Sequence, residues 1–385
     1  MDKTVLAAPL ARRTLFHPLS AIIAIAALTL MCLPAHAETK PDTCATASPG
    51  CFRGFELPDG AGTLHYYTSL DPATDGTPRQ ALVVLHGHPR DANLSFVAGI
   101  AAARRAGRLD DTLVVAPLFQ VSPEQAGHCN TPGLPYAQRD DATWTCESWL
   151  EGGLSAGPHG IGAFAALDAM VAELKHQWPA LDTVTIAGFS AGAQMLQRQI
   201  AFAAEAPAGV HVRYVVADPG TWLYFDSNRP QLLRSNAPAD WADCGAVASL
   251  PGSCELRFAT PADQAACPGG NTWKYGMEQL PTYLQAQDVT ARRRYTTADI
   301  HYLEGELDSS DRKGTFYPIL DKSCGAQTQG PYRLQRGVAY AAYDRQYLAT
   351  DGRHSLSIIP GCAHNVACVF NADAARDILF PPRVH

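Results

Sequence analysis

No tract of lysine or arginine runs through this chain, and no basic stripe alternates with aromatic residues. That removes the electrostatic footprint a nucleic-acid partner requires. The 385 residues carry 30 Lys and Arg against 37 Asp and Glu, a formal net charge of -7. There is no Cys-x-x-Cys pair and no His-Glu-x-x-His helix, so a zinc site is not expected. Internal repeats and low-complexity runs are absent as well, which excludes solenoids and disordered tails. The longest apolar run, Ala21 to Leu33, is too short to cross a bilayer comfortably, so no stable membrane anchor is expected.

That run has another use. Lys3, Arg12 and Arg13 precede it, and Ala35-His36-Ala37 follows as a small-x-small site, so residues 1–37 read as an export signal cut after Ala37. The mature chain, 38–385, is then secreted or periplasmic. Its charge is about -9, from 27 basic and 36 acidic residues. Ten cysteines remain once Cys32 is removed with the signal. An even number in an exported chain points to disulfides. Close spacing pairs Cys44 with Cys51, Cys129 with Cys146 and Cys362 with Cys368; the partners of Cys244, Cys254, Cys267 and Cys324 stay open.

Apolar β-branched runs recur at Leu64 to Ser69, Ala81 to Leu85, Thr112 to Ala116, Thr183 to Ile186, Val212 to Val216, Ile300 to Leu303 and Ser355 to Ile359. Helical patterns at Phe96 to Arg108, Ile161 to Gln177 and Ala191 to Ala204 fall between several of them. This alternation predicts one α/β domain, a mostly parallel sheet with helices on both faces. Two stretches, 119–160 and 220–296, break the pattern and hold five of the six tryptophans. Either they bury small cores of their own, or they cap the carboxyl edge of the sheet, with Trp222 and Tyr224 as candidate substrate contacts.

The chemistry converges on Gly188-Phe189-Ser190-Ala191-Gly192, where a strand meets a helix. A serine hydroxyl is a weak nucleophile, and a sharp glycine-flanked turn presents it to a base and an electrophile. Gly153-Leu154-Ser155-Ala156-Gly157 repeats the spacing without strand or helix, so Ser155 reads as loop. A base is expected at His364, in the short loop Pro360 to Cys368 after the last strand. For the orienting carboxylate, Asp308 ends a Gly-x-x-Asp turn and is the first choice, Asp218 the alternative, Glu304 and Glu306 outsiders. An oxyanion needs N–H donors: Ala191 by position, and one from His86-Gly87-His88-Pro89. Proline has no N–H, leaving Gly87 or, preferred, His88.

With these residues in view the chain resembles the α/β-hydrolase superfamily from about Leu64 to the C-terminus. The resemblance implies a Ser190, Asp308, His364 triad working through an acyl-enzyme, with no cofactor and a small-molecule or polymeric ester as substrate. The layout is similar to secreted bacterial lipase/esterases, including those xanthomonads release against plant cell walls, and to polyhydroxyalkanoate depolymerases and feruloyl esterases. Two other readings are a glycan- or lipid-binding protein on a hydrolase scaffold, and an acyltransferase using the same residues.

Overall fold

The computed structural model describes residues 44–73, 76–244, 253–261 and 267–382. The expected export signal lies outside them. Eight strands form the central sheet: β1 Phe52–Glu56, β2 Thr63–Thr68, β3 Gln80–Leu85, β4 Thr112–Leu118, β5 Thr183–Phe189, β6 His211–Ala217, β7 Asp299–Gly305 and β8 Ser355–Ile359. Their order is β1-β2-β4-β3-β5-β6-β7-β8. β2 pairs antiparallel with β1 and β4, and every other neighbour is parallel.

The central strands are long apolar runs because both of their faces are covered. In β3, Ala81, Val83 and Leu85 point into one core while Leu82 and Val84 point into the other. The first core is closed by helices α2 Ala163–Gln177, α3 Ala191–Phe202, α4 Asp288–Thr297 and α5 Arg333–Tyr347; the second by α1 Ala92–Arg105 and the C-terminal segment through Phe380. The mostly parallel sheet with helices on both faces agrees with the sequence reading, and each expected strand appears, most of them a residue or more longer. β1 was not foreseen. It is a short, largely exposed edge strand with Gly54 at its centre, and so lacks apolar alternation.

Five disulfides cross-link the described chain: Cys44–Cys51, Cys129–Cys146, Cys244–Cys254, Cys267–Cys324 and Cys362–Cys368. The three pairs expected from spacing form, and the four open cysteines resolve into two more. Within 220–296 an antiparallel three-stranded sheet, Arg229–Arg234, Ala237–Ala239 and Glu255–Ala259, has its own small core around Leu232, Cys244 and Cys254. Among the described residues no helix is long and apolar enough to cross a membrane.

Candidate active site

β5 delivers its last residue, Phe189, directly into Ser190, which has φ 58° and ψ -117°. A non-glycine residue held at positive φ is strained, and such strain persists only where surrounding packing fixes it. Here the fixing is tight. A Cβ on Gly188 would lie 2.4 Å from the Gly192 carbonyl oxygen, and one on Gly192 would lie 2.5 Å from that of His86. Both positions therefore need glycine so that strand, turn and helix can close on one another. Ser155, by contrast, lies in a loop, where its Oγ accepts the Ile161 N–H at 3.0 Å.

The candidate base and carboxylate arrive from the loops after β8 and β7. The loop after β8 carries His364, closed by Cys362–Cys368 and continued by a short helix, Val366–Phe370, that Asn365 caps. His364 Nε2 lies 2.8 Å from Ser190 Oγ and Nδ1 lies 2.7 Å from Asp308 Oδ2. With the carboxylate accepting at Nδ1, that nitrogen carries the hydrogen and Nε2 is free to accept the serine proton. Burial holds the imidazole pKa below its ordinary value; Arg333 lowers it further, against the raising influence of Asp308. The ring is therefore neutral at neutral pH, as a general base would have to be.

No protein-family model matches the sequence, and no curated protein does. Solved structures do share its fold. A poly(3-hydroxybutyrate) depolymerase from Bordetella parapertussis superposes with a TM-score of 0.52 at 18% identity, over 89% of this chain and 95% of that one. Poly(aspartic acid) hydrolase-1 from Sphingomonas sp. KT-1 gives 0.50 at 18% identity, over 83% and 95%. The chain has the α/β-hydrolase fold.

In that fold the oxyanion donors come from the turn after β3 and from the start of the helix behind the serine. Gly87, offered above as one donor, has its N–H taken by Asp91 Oδ1 at 2.7 Å. α1 starts at Ala92, a turn earlier than its apolar period indicates. His88 and Ala191 border the same cavity as Ser190, and Ala191 opens α3, where an N–H has no intrahelical partner. The turn is anchored from beneath. His86 is wholly buried, with Nδ1 2.9 Å from the Gly87 carbonyl and Nε2 accepting the Phe119 N–H. Burial pushes its pKa down to about 3. Arg90 donates to Gln120 Oε1 and the Cys129 carbonyl, fastening the turn to the 119–160 stretch.

Asp218 makes no hydrogen bond to the imidazole. Its Oδ1 accepts the Gly305 N–H at 2.7 Å, and burial, then the charge of Asp308, pushes its pKa up to about 8. Glu304 beside it is pushed up too, by burial and by Asp218. Donor atoms of Asp218, Asp308 and His364 lie within 4.8 Å of one another. Two of the three are already bonded to each other, and burial and the charge of Asp308 favour the protonated form of Asp218. The group suits proton holding better than cation binding. Glu306 turns outward and accepts the Gly361 N–H.

Trp222 and Tyr224, the candidate substrate contacts, do not line the cavity at Ser190. Both are fully buried, Trp222 stacked on Tyr340 at 4.4 Å and Tyr224 edge-on to it at 5.1 Å. Gln197 on α3 and Gln329 pin the backbone of this segment with paired amide hydrogen bonds. For these aromatics the core reading of the insertion wins. The cavity at Ser190, about 410 Å³, is walled instead by Gln194, Lys274, Tyr275, Asp321 and Arg333. Lys274 pairs with Glu151 at 2.8 Å, and Tyr275 donates to Asp321. Sequence reading missed these side chains, which come from separate segments and share no local motif.

Proposed function

We propose that this protein is a serine hydrolase of carboxylic esters, with Ser190 as nucleophile, His364 as general base and Asp308 as its orienting carboxylate. The observation that carries the reading is the unbroken chain of contacts from Asp308 through His364 to the strained Ser190. Ser190 Oγ attacks the ester carbonyl as His364 Nε2 takes its proton, and Asp308 stabilises the imidazolium. The N–H groups of Ala191 and His88 receive the oxyanion, each worth about 3 kcal/mol in the transition state. His364 then gives the proton to the departing alcohol, and water repeats the sequence on the acyl-enzyme. A depolymerase and a polymer hydrolase among the structures of the same fold favour hydrolysis over a purely binding role.

The five disulfides favour export as part of this reading, since such bonds form and persist mainly in oxidising compartments. In this reading the stretches 119–160 and 220–296 are insertions in one hydrolase domain and frame the cavity, the first through Leu150 and Glu151, the second through Lys274 and Tyr275.

The test is hydrolysis of p-nitrophenyl esters from acetate to palmitate by the oxidised mature protein, with Ser190→Ala and Ser155→Ala alongside. Activity abolished by the first substitution and kept by the second is the expected outcome. A folded wild type silent on every ester sinks the proposal.

A further inference from the structure

The polar cavity leaves one side of the site unexplained. Eight large hydrophobic side chains are exposed among the described residues, and three of them, Leu307, Phe316 and Ile319, come from the loop that carries Asp308. Two of them meet the candidate site, and the third is held beside it through its backbone. The Leu307 N–H binds the Cys362 carbonyl beside the His364 loop, Ile319 borders the cavity of Ser190, and the Phe316 ring stands edge-on to the His364 ring at 5.9 Å.

Phe316 is the informative one. It has φ 49° and is 56% exposed. A bulky aromatic at positive φ is a backbone outlier, and exposing the ring to water forgoes the burial that normally rewards it. The surrounding contacts hold this conformation. The Gly314 carbonyl accepts the His364 N–H at 3.2 Å, and the Thr315 carbonyl accepts from Arg333 Nη1 at 2.6 Å while the same nitrogen reaches Asp308 Oδ1 at 3.4 Å. The two residues before Phe316 are thus tied to the base and, through Arg333, to the acid. A strained, solvent-facing aromatic fixed by the reacting groups themselves marks a binding surface rather than a packing accident.

We propose that Phe316, with Ile319 beside it, is the subsite for the leaving alcohol, and that the preferred substrates are esters of hydrophobic alcohols, alkyl or aryl. This rests on the hydrolase reading above. In acylation the bond from Ser190 Oγ to the carbonyl carbon forms, the bond from that carbon to the alcohol oxygen breaks, and the proton on His364 Nε2 goes to that oxygen. The departing oxygen must therefore lie within hydrogen-bond reach of Nε2. The group it carries extends over the imidazole, where the Phe316 ring waits, while the carbonyl oxygen turns to the N–H groups of Ala191 and His88.

The test varies the alcohol at constant acyl group: methyl, butyl, hexyl and benzyl acetates, with wild type, Phe316→Ala and Phe316→Leu. In wild type, kcat/KM is expected to climb from methyl to hexyl and benzyl. Phe316→Ala should cut the benzyl-to-methyl ratio of kcat/KM about tenfold, the size of effect an apolar contact gives, and Phe316→Leu should restore part of it for hexyl acetate. A wild type indifferent to the alcohol overturns the subsite while leaving the hydrolase reading intact. So does an Ala variant that slows every acetate equally, since a mere prop for His364 would act that way. Silence of wild type on every ester overturns the hydrolase reading, and the subsite with it.

Discussion

His364 sits between opposite charges, with Asp308 raising its pKa and Arg333, second only to burial, lowering it. The guanidinium repels the imidazolium and so favours the neutral base. Removing that charge by Arg333→Met raises the His364 pKa, and the acid limb of the kcat/KM profile should move to higher pH; Arg333→Lys should keep it nearer the wild-type position. A pH–rate series on one ester measures this, and an acid limb that stays put in Arg333→Met would show that the charge is screened. Asp218 allows a sharper distinction. Its folded pKa of about 8 lies above the ordinary carboxylate value, so the folded state holds a proton that the unfolded chain gives up. The stability this confers is full below about pH 4 and is lost as pH rises through about 8. Asn at 218 can still accept from Gly305 N–H, so Asp218→Asn should flatten the fall in melting temperature between pH 5 and 9. Activity should survive, because Asp308 holds the imidazole; Asp308→Asn should lose about 10⁴-fold in kcat. The reverse pattern of activity would make Asp218 the orienting acid.

At the scale of elements, α5 shows where sequence reading stops. Its buried residues include Arg333, Gln335, Arg336 and Asp344, with Gly337 near the middle, so no apolar period announces a helix. Arg336 binds partners distant in sequence, the carbonyls of Gly220 and Asp321. Such partners exist only once the chain is folded. The strands and the turn at Ser190 were legible because a run like Thr183 to Ile186 and two glycines state their geometry locally. Trp222 and Tyr224 misled because an aromatic cluster reads the same whether it lines a cleft or fills a core. Gly337 carries a prediction of its own. Gly→Ala inside a helix normally stabilises by about 1 kcal/mol, yet here the new Cβ would lie 2.1 Å from Glu304 Oε1 and 2.7 Å from its Cγ. Glu304 is fully buried, so its side chain would have to shift within a packed core. Gly337→Ala should therefore destabilise, by about 1–3 kcal/mol as overpacking does, measured as a lower melting temperature; a gain would mean that Glu304 has room to move.

Across the whole molecule the disulfides divide their labour by the length of chain they close. Cys267–Cys324 spans 57 residues, tying the 220–296 stretch to the segment before α5. By loop-closure entropy such a link contributes about 4 kcal/mol to folding, whereas Cys362–Cys368, closing only 6 residues, contributes about 2 kcal/mol. The short link nevertheless frames His364, whose Nε2 must stay within about 3 Å of the serine hydroxyl to act. Replacing each pair by serines should then separate stability from catalysis. Without Cys267–Cys324 the midpoint of urea unfolding should fall further, while kcat at 25 °C in the folded protein changes little. Without Cys362–Cys368 the midpoint should fall less and kcat more. If both variants instead lose kcat in proportion to stability, the loop of His364 is held by its other contacts, chiefly the Gly314 carbonyl and the Asp308 carboxylate, and the short disulfide serves folding alone.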